Sequence, residues 1–292
     1  MLVGSKLLTV IVGTGYTGQR ILQRFPTSSA IGLSRSVPEL TSGHTISVME
    51  LDQDAGLSVD LPDRCCIIYT VPPTENSDTD LRLTRLLDLL SVAPARFVYI
   101  STTGVYGDRD GALVTEEARP RPGSDRAKRR LAAETMLHQW CRQHEVDLVI
   151  LRVPGIYGPD RLGVAPILAR EPVLLEADAY PGNRIHVTDL VSCCVAAASL
   201  NVRAGIYNVG DGDMRSSTWF AHEVARQTGL PARPEISRNQ AEVEFSALRM
   251  SFLAESRRID TRKMREVLGV TPGYANAEDG IKVSIIDMAD RN

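Results

Sequence analysis

The sequence predicts an α/β fold: a doubly wound parallel sheet with a smaller lobe toward the C-terminus. Three observations lead there. Short apolar runs rich in β-branched residues recur through the first two thirds of the chain. Segments with helical spacing separate them. The first run ends in a glycine turn, Gly13-Thr-Gly15-Tyr-Thr-Gly18. Runs that are apolar at every position are strands covered on both faces, and strands separated by helices pair in parallel.

Each element has its own signal. Residues 7–13 (LLTVIVG) read as a buried strand stopped by glycine, and 17–25 as a helix with Ile21, Leu22 and Phe25 on one face. AIGLS (30–34) and TISVMEL (45–51) are strands two and three. RCCIIYTV (64–71) is the fourth, ended by Pro72 and Pro73, which cannot continue a central ladder. Residues 80–90 place Leu83, Leu86, Leu87 and Leu90 at the i, i+3, i+4, i+7 positions of an amphipathic helix. ARFVYIST (95–102) is the fifth strand. A long helix over 127–144 carries Ala133, Met136, Leu137 and Trp140, and DLVILRV (147–153) is the sixth strand. Beyond residue 155 the pattern loosens. Residues 185–200 form a strand-to-helix unit, 205–210 (GIYNVG) a further strand, and helices are expected near 217–228 and 261–268 within a more polar, irregular remainder.

Composition narrows the function classes. The 292 residues are 43% apolar and 24% charged, as in globular domains, with a net charge of −3. Such a chain offers no global basic surface for nucleic acid or anionic lipid. Apolar runs fall far short of the roughly 20 residues that span a bilayer. The N-terminus lacks a small-residue cleavage site, so it reads as mature sequence and the expected location is cytoplasmic. Cys65–Cys66 and Cys193–Cys194 are adjacent pairs in apolar surroundings and Cys141 stands alone. That pattern reads as buried reduced thiols rather than a disulfide framework. The five histidines show no ligand spacing, and no metal site is expected.

The glycine turn carries the first functional inference. After a strand and before a helix, Gly13 permits the tight turn, Gly15 lets the backbone approach a pyrophosphate, and Gly18 allows close helix–sheet packing. The helix start, with Tyr16 and Thr17, presents free N–H groups to phosphate. The expected ligand is a dinucleotide. At the end of strand two, where an acid would bind a ribose 2′-hydroxyl, the sequence reads Ser34-Arg35-Ser36. An arginine there can grip a 2′-phosphate, so NADP(H) is favoured over NAD(H). Asp52 is placed either to meet the adenine amino group or to cap a turn, and Thr70, Val71 and Pro72 end strand four beside the same site.

With the glycine turn, the segments STTGVYGD (101–108), LRVPGIYGPDR (151–161), NRIHVTDL (183–190) and IYNVGDG (206–212) resemble the extended short-chain dehydrogenase/reductases, the NAD-dependent epimerase/dehydratase group. The likeness runs in order from residue 7 to about 270. It implies a Rossmann domain over 1–160 to which the chain returns at about 184–212, with 161–183 and 213–292 forming a substrate-binding lobe. It also implies a homodimer built from the helices 80–90 and 127–144. The family's catalytic set is a Ser or Thr after strand five, then Tyr-x-x-x-Lys. A nearby ammonium lowers the phenol pKa from about 10 toward neutrality.

Thr102 and Thr103 match the hydroxyl, but the pair is missing. Anchored on Leu131-Ala132-Ala133-Glu134, the Tyr and Lys positions hold Arg126 and Arg130; shifted to use Lys128, the Tyr position holds Ser124. The chain thus resembles an atypical branch without the pair. Arg130 remains a candidate for the nicotinamide ribose. The run 126–130 is either a solvated face or a clamp for an anionic substrate. Tyr106 and Tyr157 stand as replacement acids, while Arg161, Arg184 and His186 are expected to line the substrate cleft. Asp189 is expected there too, or as the N-cap of a following helix. Three functions remain open: an NADP(H)-dependent oxidoreductase on a small polar metabolite, an inactive NADP(H)-binding sensor or scaffold, and a nucleotide-sugar epimerase or dehydratase.

Overall fold

The structure is a computed structural model that describes residues 7–36, 43–52, 61, 64–75 and 77–291. Residues 1–6, read from sequence as part of the mature N-terminus, lie outside the described residues. Strands β1 (Thr9–Val12), β2 (Ala30–Ser34), β3 (Ile46–Val48), β4 (Cys66–Tyr69) and β5 (Arg96–Thr102) follow in order. After them come β6 (Leu113–Val114), β7 (Asp147–Val153), β8 (Gly155–Tyr157), β9 (Val173–Leu174), β10 (Arg184–His186), β11 (Gly205–Asn208), β12 (Glu235–Ile236) and β13 (Arg258–Ile259).

Seven of these make one sheet in the order β11-β7-β5-β4-β1-β2-β3, and every pairing in it is parallel. The order reverses between β1 and β4, which leaves a crevice at their carboxyl ends. Ligands of doubly wound sheets bind at such a switch point. The remaining short strands pair in twos, β10 with β8, β12 with β9 and β13 with β6.

Helices α1 (Tyr16–Leu22), α2 (Leu81–Leu89) and α3 (Asp125–Gln143) precede β7. Later come α4 (Val164–Leu168), α5 (Val187–Ala197), α6 (Ser217–Thr228), α7 (Arg238–Glu244), α8 (Ala247–Leu253), α9 (Arg262–Glu266) and α10 (Ala277–Ala289). One face of the sheet, with Ile11, Ile68, Val98 and Leu151, packs on α1 and α5 through Ile21 and Leu190. The other, with Val10, Ile67, Phe97 and Ile150, packs on α2 and α3 through Leu83, Leu86 and Leu137. The alternation of burial partners along each strand is why the runs show no polar positions. Asp80 caps α2 by accepting from the Leu83 amide at 3.1 Å, so the helix starts one residue later than its leucine spacing suggests.

Arg96, fully apolar in its surroundings by sequence, is buried at the foot of β5. It donates to the carbonyls of Ala197 and Val202 and pairs with Asp147 at 3.1 Å, tying α5 to the sheet. All five cysteines are buried and unbonded; burial pushes the Cys65 thiol up to about 11 and Cys141 to about 12, which suppresses thiolate chemistry. Among the described residues, no helix is long and apolar enough to cross a membrane, and no group of three His, Cys, Asp or Glu side chains could hold a metal.

The C-terminal segment is more regular than its composition predicts. Helix α10 buries Ala277, Gly280, Ile281 and Ser284. That is an i, i+3, i+4, i+7 stripe made mostly of small residues, so no hydrophobic periodicity announces it. With Trp219, Val224 and Tyr157 it forms a third core, separate from the two that cover the faces of the sheet.

Candidate functional site

The glycine turn shows three different constraints. Gly13 has a positive φ of 91°, and a methyl on it would lie 2.7 Å from Thr70 Oγ1. That hydroxyl donates to the Gly13 carbonyl at 2.7 Å, pinning the turn to the end of β4. A methyl on Gly18 would lie 1.9 Å from the Gly13 oxygen, so α1 leaves no room there. Around Gly15 nothing lies within 4 Å of the same imagined atom. Two glycines are therefore demanded by the fold, and the third opens onto free space where backbone and ligand can approach. This fits a pyrophosphate. Tyr16 and Thr17 begin α1 at this edge. The Tyr16 ring lies between the guanidinium groups of Arg20 and Arg161, at 4.0 and 4.1 Å, and its hydroxyl donates to the Pro159 carbonyl at 2.8 Å.

Beside the turn, a cavity of about 240 Å³ runs along the carboxyl ends of β1, β2 and β4, bordered by Ser34, Arg35, Asp52, Val71 and Pro72 among others. Asp52 does not stand free in it. Its carboxylate takes two bonds from Arg82, at 2.5 and 2.9 Å, and one from Arg35 at 3.3 Å. The Arg82 hydrogen bond is the main reason its pKa is held below the ordinary carboxylate range. Arg82 also donates to the Pro72 carbonyl, whereas the Arg35 side chain is 71% exposed with a single acceptor. Sequence reasoning missed Arg82, because one arginine in the first turn of an amphipathic helix carries no signal of its own.

On the other side, a cleft of about 590 Å³ is lined by Thr102, Thr103, Arg126, Arg161, Arg257 and Phe252 together with Ile156, Tyr180 and their neighbours. Thr102 ends β5, and its hydroxyl accepts from the Gly104 amide at 3.1 Å. A neighbouring cavity of about 600 Å³, bordered by Pro72, Pro73, Arg129 and Arg130, meets the cleft at Arg126 and Phe252. Helix α3 puts Arg126 and Arg130 one turn apart. Ser124, the alternative at the Tyr position, caps α3 by accepting from the Ala127 amide at 3.4 Å. Arg130 donates one nitrogen to the Tyr99 hydroxyl and the Ile100 carbonyl, so it is partly committed to β5.

Five residues expected in or at the cleft lie elsewhere. Tyr106, expected as a replacement acid, is a core residue; its hydroxyl donates to Asn208 Oδ1 at 2.6 Å, and burial holds its pKa above the usual phenol value. Tyr157 is buried edge-on against His186 and Phe220, and its hydroxyl has no protein partner among the described residues. Because β8 alternates its side chains, Ile156 faces the cleft and Tyr157 the core beneath. Arg184 is buried below the cleft floor, donating to the carbonyls of Arg215 and Ser216. His186 is buried against Ser284 at 3.1 Å and caps α5 by accepting from Thr188; burial lowers its pKa to about 4. Asp189 is neither a cleft residue nor the cap, but receives the amides of Gly273 and Tyr274 at 2.8 and 3.1 Å.

The phenol that does line the cleft is Tyr180, which follows β9, with the Arg238 guanidinium over its ring at 4.4 Å. Tyr180, Phe252 and Arg257 all come from segments outside the seven-stranded sheet. Nothing local in their sequence marks them, because they meet the sheet only through the long-range fold.

Comparison with known proteins agrees with this geometry. Residues 73–210 match the model of the NAD dependent epimerase/dehydratase family. The dTDP-glucose 4,6-dehydratase of Streptomyces niveus is 26% identical over 192 residues, covering 63% of this chain and 54% of its own. The chain spans about half the length of the curated relatives it matches. Among solved structures, a functionally unknown conserved protein from Silicibacter pomeroyi DSS superposes with a TM-score of 0.81 at 25% identity, covering 96% of this chain and 98% of that one. The UDP-glucuronic acid 4-epimerase of Bacillus cereus, in complex with NAD, gives a TM-score of 0.75 at 17% identity over 97% and 99% of the two chains, a likeness of fold alone. Over residues 73–210, built into this seven-stranded sheet, the chain carries the NAD dependent epimerase/dehydratase family domain.

Proposed function

We propose that the protein binds NADP(H) along the carboxyl ends of β1, β2 and β4 and serves as an oxidoreductase on a small polar metabolite held in the cleft beneath Phe252. The observation that carries this reading is the open space at Gly15 between two glycines that the fold itself requires. A family neighbour of the same fold is in complex with NAD, which supports a pyridine nucleotide as the ligand. When bound, the nicotinamide supplies the hydride acceptor or donor.

The chain's own residues would do the rest. Gly13 and Gly15 bring backbone against the diphosphate. Ser34 and Arg35 meet the adenosine ribose. Arg130 and the Pro72 turn border the side where the nicotinamide ribose would lie. Thr102 and Thr103 present hydroxyls to the reacting oxygen, and water reaching the cleft exchanges the proton.

The preference for NADP(H) rests on Arg35. Arg82 already satisfies Asp52 through two bonds, so Arg35 can turn to a 2′-phosphate without leaving a carboxylate unpaired. Its exposure weakens the pair through solvent screening, so about tenfold tighter binding of NADPH than NADH is expected, the low end for a charge-assisted contact. Calorimetric titration with both cofactors tests this. Equal dissociation constants contradict it, and Arg35→Asp should weaken NADPH while sparing NADH.

A second reading is a cofactor-responsive protein without turnover. It is favoured by one observation: neither Tyr106 nor Tyr157 reaches the cleft, and α3 offers arginines there instead. A screen that follows NADPH consumption with oxo acids, aldehydes, ketones and nucleotide sugars separates the two. The nucleotide sugars belong in it because the dehydratase and epimerase relatives act on that class by name.

A further inference from the structure

The arginines around the two cavities differ in what holds them. Arg257 pairs with Glu255 at 2.6 Å and donates to the Gly107 carbonyl. Arg130 donates to Ile100, and Arg129 to the Glu75 carbonyl at 3.3 Å. Arg161 lies over the Tyr16 ring at the glycine turn. Arg126 differs from the first three: among the described residues its guanidinium has no hydrogen-bond acceptor, and its contact is the face of Phe252 at 3.9 Å.

Arg126 is an exposed residue at the mouth of the cleft; partial desolvation lowers its pKa, Glu255 opposes the shift, and the group stays charged at neutral pH. With no protein acceptor its donors are left to water, and a ligand that enters the cleft can take them over. Phe252 covers the guanidinium face, and its own ring is 57% exposed. A stacked guanidinium keeps its N–H groups in the plane of the fork, pointing past the ring edge, so stacking leaves the hydrogen-bonding rim free. Arg126 borders both cavities, and shares the cleft with Thr102 and Thr103.

We propose that Arg126 is the receptor for a carboxylate of the substrate, gripped through the free rim of its guanidinium while Phe252 covers the face, so that the cleft takes a small carboxylic acid. A planar fork matches a carboxylate with two parallel bonds. The two parallel bonds of the fork use both oxygens of a carboxylate, whereas a phosphate would keep a further oxygen that Arg126 does not reach. The acid's redox fate rests on the oxidoreductase reading above; its binding to Arg126 does not.

The test is calorimetry on the full chain, with and without saturating NADP⁺, using oxalate as the probe, oxamide as its neutral counterpart and inorganic phosphate as the competing anion. Oxalate should bind and oxamide should not. Arg126→Met should weaken oxalate at least about tenfold, as expected for loss of a charge-assisted pair. Arg126→Lys, which keeps the charge but not the fork, should weaken it by a smaller factor, and Phe252→Leu also. NADPH binding, followed by its fluorescence, should be unaltered in all three. If the Met variant does not fold, the Lys variant decides. Oxalate affinity unchanged in the folded Arg126 variants overturns the proposal, as does failure of oxalate to bind or tighter binding of phosphate. A wild-type protein that ignores NADPH but binds oxalate through Arg126 overturns the cofactor reading and leaves this one standing.

Discussion

Glu134 of α3 and Arg152 of β7 form a buried two-pronged ion pair, with bonds of 3.1 and 2.6 Å and both side chains 3% exposed. Ser101 of β5 adds a 2.5 Å bond to the same carboxylate. Three elements that border the cleft are thereby fixed to one another: the helix bearing Arg126 and Arg130, the strand ending in Thr102, and the strand leading to Gly155. Glu134→Gln should destabilise the fold by about 3–5 kcal/mol, because it leaves the Arg152 charge buried without a counterion. Replacing both partners by Leu and Met should cost less than either single change. Urea unfolding of the two singles and the double measures this.

Tyr157 and Gly280 make a second testable pair. A methyl on Gly280 would lie 2.3 Å from the Tyr157 hydroxyl oxygen. Helix propensity favours Ala over Gly by about 1 kcal/mol. The clash outweighs that, and Gly280→Ala should destabilise by about 1–3 kcal/mol through overpacking. Tyr157→Phe removes a buried hydroxyl without a protein partner, so it should be neutral or mildly stabilising and should relieve Gly280→Ala in part, since two ring carbons would still lie 2.8 and 2.9 Å from the methyl. Thermal melts of the two singles and the double give the answer. Marked destabilisation by Tyr157→Phe alone would mean that the hydroxyl is satisfied after all.

Asp211 predicts a pH dependence of stability. It is buried beside Arg184 and Asp213, and burial raises its pKa to about 8. In the unfolded chain it ionises near the ordinary value of about 4. Between those values the unfolded state releases a proton that the folded state keeps. This group's contribution to stability therefore falls as pH rises from about 4 to 8 and is constant above. His186 works oppositely: burial lowers its pKa to about 4, so its contribution is lost as pH falls below about 6.5 toward that value. Asp211→Asn should flatten the decline in melting temperature between pH 6.5 and 8 and raise the melting point at pH 8. A decline equally steep in the Asn variant would show that another group drives it.

Much of the fold is legible in the sequence because burial on both faces is written directly into strands such as Val10–Val12 and Val149–Leu151. The glycine turn is legible for the same reason: each glycine answers a local steric demand. The cleft is less so. Tyr106 and Tyr157 look like free phenols in one dimension, but strand alternation and a turn after β5 send both into cores. Arg126 is one cation in a basic run until Phe252, some 120 residues on, is folded over it. Helix α10 hides for a different cause, since small residues on its inner face pack well without looking hydrophobic.

The proposed site sets a dinucleotide against the backbone at Gly15, and Gly15→Val probes that contact. The measurement is a fluorescence titration of NADPH into wild type and variant, each beside its melting curve. A valine has open space there, so the melting point should hold within a few degrees while NADPH binding is lost. An unchanged NADPH affinity in a folded Gly15→Val protein would mean that the dinucleotide does not bind at this turn.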